Sequence, residues 1–216
     1  MKIFTKLLAV CAFAGWASAA NAGIIALTAT ETGGNQAFNG TLGIEFTVNA
    51  GYAIDITGLG VYDDYGDGFG GSNNRFTVGI FTAAQDLVVS VDGTPDSWTP
   101  TAGYNIFDVS FVGSIILSAG DYVLAAQGFD NTNNLWNAGF GGSAPSINDG
   151  GGAISFTGST YNATTGSFLF PNVVDGIPTP RYHSATFEYD VVPAPATLAL
   201  FGLGLAGLGW SRRKKA

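Results

Sequence analysis

The densest group of side chains able to do chemistry is Asp63, Asp64 and Asp67, followed by Asn73 and Asn74, with glycines at 66, 68, 70 and 71. Calcium takes roughly 6–8 oxygen ligands, and an acidic loop bent by glycine can gather them around one ion. Against the helical calcium loop, Asp63, Asp67 and Gly68 fall at positions one, five and six. Tyr65 and Asn74 stand at three and twelve, so the bidentate Glu of that loop is missing. A β-sandwich loop could still seat calcium on Asp63, Asp64 and Asp67 with backbone carbonyls. The plain alternative is a solvated strand connection made of ordinary turn residues.

Catalysis has little else to draw on. His183 is the only histidine and Cys11 the only cysteine, so zinc sites of the usual His/Cys kind are out of reach. A histidine base needs a placed partner and a nucleophile, and the stretch Arg181, Tyr182, His183, Ser184 carries no such motif. A packing or surface histidine is the expectation. The paired carboxylates of a glycoside hydrolase stay open on sequence alone, but acids spread this widely read more simply as a solubilising surface. Sugar is the better ligand. Trp98 and Trp136, with Tyr104, Tyr161 and Tyr182, stand in or near Gly/Asn/Ser/Thr-rich stretches, and Asn131, Asn133, Asn134 and Asn137 flank Trp136. An aromatic face beside amides or carboxylates suits a sugar's apolar face and hydroxyls. The same rings could instead cap a core.

These residues sit in an acidic body. The chain has 216 residues, with 16 Asp and Glu against 8 Lys and Arg. Lys2 and Lys6 near the start and four cations near the end leave only Arg75 and Arg181 in between. All the acids fall between Glu31 and Asp190, so that stretch carries −14. A phosphate-binding surface needs clustered cations, so nucleic acid is excluded as a partner of the body. Hydrophobic residues make up 46% of the chain, enough for a packed core, and the abundance of Gly, Thr, Phe, Val and Ile leans to β structure.

Both ends read as addresses. Lys2 and Lys6 precede a short apolar run, and Ala20, Asn21 and Ala22 offer small residues at the positions a signal peptidase requires, which places the cut before Gly23. Val10 is too bulky before Cys11 for a lipid-attachment box. At the other end Pro193, Ala194 and Pro195 break the chain, and a 15-residue apolar run follows at 196–210, with glycines at 202, 204, 207 and 209. Arg212, Arg213, Lys214 and Lys215 close it. That run is shorter than the ~20 residues of a comfortable membrane span. The terminal cations stay cytoplasmic by the positive-inside rule, which puts the body across the membrane, in agreement with the signal peptide.

The order Pro-x-Pro, apolar Gly-rich helix, basic tail resembles the PEP-CTERM sorting segment of exported bacterial proteins. The resemblance implies recognition by an exosortase, a membrane enzyme that removes the helix and releases or transfers the body to the cell surface, often in bacteria with an extracellular polysaccharide matrix. Ala194 stands where the namesake motif has Glu.

The elements that must position the body's residues are short and alternating. Gly43, Ile44, Glu45, Phe46, Thr47 and Val48 place large apolar groups on one face, as do residues 76–81 and 185–190. Further strands are expected at 54–61, 86–91, 106–112, 122–129 and 154–157, with turns at Asp92–Gly93, 149–152 and Thr157–Gly158. Such spacing predicts an all-β, antiparallel, jelly-roll-like sandwich of roughly 8–12 strands. The series 42–48, 56–63, 78–81 and 117–123 is similar to a β-sandwich ectodomain common among PEP-CTERM proteins, for which the resemblance implies no catalytic role. The expectation is a signal peptide at 1–22, a β-sandwich ectodomain at 23–191 and a sorting segment at 192–216. The protein would be exported and non-enzymatic, held briefly by its C-terminal helix, then structural or adhesive at the cell surface or in the matrix. A carbohydrate-binding module is the alternative, and a carboxylate glycoside hydrolase a more distant one.

Deletion of residues 212–216 should leave the body mislocalised or released early, because the four cations fix the orientation of a short apolar run. Fractionation of producing cells checks this, and normal surface arrival of the deleted form would contradict it.

Overall fold

In the computed structural model, residues 23–70 and 74–192 are described. The strands are β1 (Ile24–Ile25), β2 (Leu27–Thr28), β3 (Thr41–Tyr62), β4 (Phe76–Thr82), β5 (Leu87–Gly93), β6 (Thr99–Thr101) and β7 (Tyr104–Asp108). After them come β8 (Ile116–Gln127), β9 (Trp136–Asn137), β10 (Ser146–Ile147), β11 (Ile154–Asn162), β12 (Val173–Asp175), β13 (Tyr182–His183) and β14 (Ala185–Val192). All pairings are antiparallel. The all-β antiparallel fold expected from the alternation is the fold observed.

The strand expected at 43–48 and the one expected at 54–61 are a single 22-residue strand, β3. Its first half lies between β8 and β11, and its second half between β14 and β7. Between Val48 and Ala53 the register with β8 breaks, and Gly51 there adopts φ +89°, a left-handed conformation open to glycine at little cost. The strand turns over at this point without ending. Each half then faces the other: Phe46 on the first half meets Phe187 of β14 at 4.9 Å between ring centroids, and Phe187 meets Tyr189 at 5.4 Å. Leu42, Ile44, Phe46, Val48, Ile54 and Ile56 are all buried, so the inward positions are even-numbered up to this point. A bulge opposite Glu188 and Tyr189 then inserts Thr57, and the inward phase moves to Leu59 and Val61.

Three other expectations shift. Asp92–Gly93, expected as a turn, is the paired end of β5, opposite Thr77 and Phe76. The strand expected at 106–112 stops at Asp108, whose carboxylate accepts the Ser110 backbone N–H at 2.8 Å and starts a 3-10 turn, Ser110–Val112. Thr157–Gly158, expected as a turn, is a bulge inside β11. On the outer face, Gly43 leaves the space that the loop after β11 needs. A Cβ there would lie 2.4 Å from Pro171, and the same loop sends Phe168 and Phe170 onto Phe81.

Phe46→Ala removes the ring that both layers share and should cost about 3–5 kcal/mol of stability. Glu45→Gln, pointing the other way, should stay within about 0.5 kcal/mol of wild type. Equilibrium denaturation reads both, and similar values for the two would contradict this view of the core.

Candidate functional site

Four loop segments meet at one end of the sandwich, around residues 29–36, 62–70, 130–148 and 175–184. Tyr62, the last residue of β3, ties them together. Its hydroxyl donates to the Glu31 and Gly33 carbonyls at about 3.0 and 3.1 Å, and its ring meets His183 edge-on at 5.5 Å and Tyr104 at 5.8 Å. β9 pairs with β13, which sets Trp136 opposite His183 and Asn137 opposite Tyr182.

His183, the only histidine, is completely buried. Its Nε2 lies 3.5 Å from the Thr30 hydroxyl, and its Nδ1 has no hydrogen-bond partner among the described residues. Burial pulls its pKa down to about 4, against smaller opposing effects from the Ser143 carbonyl and the Glu31 charge. It is a neutral packing histidine at pH 7. A second, half-buried polar network is not legible in the sequence. Arg181 donates from Nε to the Asn137 side-chain oxygen at 2.7 Å and from Nη1 to Asp175 at 2.6 Å, while the Tyr182 hydroxyl donates to the second Asp175 oxygen. Asn137 also donates to Gln36 at 2.7 Å, and its backbone N–H donates to the Asn35 side chain. The available signal is that Arg181 is one of only two cations in the body, so its charge has to find an acid.

The acidic loop comes to the same end. Asp63 and Asp64 are buried and Asp67 is exposed. Asp63 accepts from the Gly68 N–H at 3.3 Å, and Asp96 accepts from the Phe69 N–H at 2.8 Å. Gly70 and Asn133 exchange hydrogen bonds of 2.9 and 3.1 Å, which lock the loop to the Asn-rich segment. Desolvation raises the pKa of both Asp63 and Asp64; backbone N–H donors lower it, and repulsion from neighbouring acids, Asp67 first, raises it further. No three Asp, Glu, His or Cys side chains are placed to hold one metal ion among the described residues.

The two tryptophans are not brought together. Trp98 is 7% exposed and packs edge-on against Phe107 at 5.6 Å, so its ring is part of the core. Trp136 is half-buried, and its indole N–H donates to the Ser143 carbonyl at 3.2 Å. Of the tyrosines, Tyr104 and Tyr182 are buried, while Tyr161 is half-buried and meets Phe38 edge-on at 5.9 Å. A cleft of about 300 Å³ opens between Gln36, Phe38, Leu42, Tyr161, Asp175 and Tyr182.

Residues 191–214 match the family model of the PEP-CTERM protein-sorting motif. The chain carries a PEP-CTERM sorting motif. The motif marks an exported protein sorted by an exosortase. Neither a curated protein nor a solved structure matches the chain. Pro193, Ala194, Pro195, the apolar run and Arg212, Arg213, Lys214 and Lys215 lie outside the described residues, as does the expected signal peptide at 1–22. No helix is long and apolar enough to cross a membrane among the described residues.

The loop end gives opposed pH responses. His183 has a folded pKa below its unfolded value near 6.5, so its stabilising contribution is complete above that pH and falls as pH drops towards 4. The loss amounts to about 3 kcal/mol. Asp63 and Asp64 have raised folded pKa values, so their contribution is greatest below the unfolded carboxylate value and declines as pH rises. Between pH 6.5 and 4, wild type should therefore lose stability relative to His183→Gln and gain it relative to Asp63→Asn. Denaturation at stepped pH measures both, and parallel curves for all three would contradict the assignment.

Proposed function

We propose that this exosortase-sorted protein is a non-enzymatic surface or matrix component whose β-sandwich serves as a structural or adhesive body. The observation that carries the reading is the mutual pairing of reactive groups at the loop end. The Asp175 carboxylate is taken by Arg181 and Tyr182, the Asn137 amide by Arg181 and Gln36, and the one histidine is buried and neutral. Groups satisfied by one another hold loops in place; a catalytic group needs a free face toward substrate.

A second reading, attachment to the cell's own exopolysaccharide, draws on the cleft beside Tyr161. Aromatic rings, an amide and a carboxylate edge line it, the combination that fits a sugar. Trp98 and Trp136 contribute less to this reading, since one is core and the other is tied through its N–H.

Pull-down of the cell-released protein by the producer's exopolysaccharide separates the two. The structural reading expects no saturable binding and a loss of matrix cohesion when the gene is deleted. Saturable binding that falls at least about tenfold in Tyr161→Ala, a loss of roughly 1.4 kcal/mol, would favour the polysaccharide reading instead.

A further inference from the structure

The large sheet has four free edges among the described residues: β1, β6, β12 and β5. Three are blunt. β1 is two residues long, β12 three, and β6 three with Pro100 in the middle. β5 is different. It is seven residues, Leu-Val-Val-Ser-Val-Asp-Gly, with no proline or lysine, and it pairs only with β4. Long apolar edges without such devices are templates for another strand.

Position and charge indicate which strand. A bulge at Val88, between the pairs Phe81–Leu87 and Ile80–Val89, leaves Val89–Gly93 as the straight portion. Val89 and Val91 stand opposite Ile80 and Val78, which are fully buried, and pack on the same core. They remain only half-buried because no strand lies beyond them. The one charge in the strand, Asp92, is held by Arg75 at 2.8 Å. On a body of −14, this edge is a locally neutral strip, where two copies can approach with least repulsion.

We propose that β5 pairs antiparallel with β5 of a second copy of this chain, across a two-fold axis at Ser90. The inference rests on the structural reading above. In that register Val89 lies opposite the partner's Val91 and Val91 opposite the partner's Val89, so each copy covers the other's half-buried valines. Asp92 lies opposite the partner's Val88. A two-fold axis at Val89 would instead set Asp92 opposite the partner's Asp86, and like charges directly opposed are unfavourable. A pairing this short buries less than the ~1,200 Å² of a stable interface, so the contact is weak in dilute solution and gains strength where copies are held close on a surface.

The test expresses the full gene in its producing cells and uses the released protein, from which the expected cut before Gly23 has already taken Cys11, the only native cysteine. Ser90→Cys is compared with Val174→Cys, a 77% exposed position on the blunt edge β12, using a short bis-maleimide. Ser90→Cys should crosslink to itself about tenfold faster than Val174→Cys, as expected for cysteines held at high effective concentration. Adding Val91→Lys should abolish the difference while the circular dichroism spectrum stays that of wild type. Equal rates at the two positions, or crosslinks from Ser90→Cys to other proteins only, would overturn the proposal. Matrix cohesion measured on the Val91→Lys strain keeps the two claims apart: cohesion retained there but lost on gene deletion leaves the structural reading standing without self-pairing.

Discussion

β3 belongs to both layers, so the sandwich depends on that strand turning over between Val48 and Ala53 without giving up its pairing. The turn lets Phe46 on one half reach Phe187, which pairs beside the other half. An alternating strand has one apolar face, and here that face is folded onto itself through the neighbours of each half. Thr57 performs a second adjustment, re-phasing the strand so that Leu59 and Val61 still point inward. Burial of the large aromatic residues follows from these two local irregularities.

The same strand delivers Tyr62 to the loop end, where its hydroxyl and ring organise segments distant in sequence. Burial in that position keeps the Tyr62 hydroxyl protonated, its pKa raised first by desolvation and then by nearby acids. A body of −14 needs its few fixed points, and the half-buried Arg181–Asp175 pair with the Tyr182 hydroxyl is one of them. Removing one partner of this half-buried pair leaves the other charge partly desolvated and unmatched.

Alternation makes most strands legible, since Phe76–Thr82 and Ala185–Val192 put large residues on one face and little else competes. A glycine that bends a strand and a glycine that ends one look alike in sequence, so β3 reads as two strands and the β11 bulge as a turn. Asp108 followed by Ser110 carries a local signal for the 3-10 turn, outweighed by the apolar residues around it. At the loop end, the acidic cluster and the single histidine can be found by composition. The shared role of Asn137, Asp175 and Arg181 cannot, because the three meet only through the β9–β13 and β11–β12 pairings. Trp98 and Trp136 differ in burial for tertiary reasons that no local pattern encodes.

The proposed role of the sandwich outside the cell requires that export and C-terminal sorting both take place. The intact mass of the protein recovered from the cell surface or medium reports on the two steps together. The proposed route, a cut before Gly23 and removal of the C-terminal segment, predicts a species that begins at Gly23 and lacks Arg212, Arg213, Lys214 and Lys215. A surface species that keeps those four cations would contradict it.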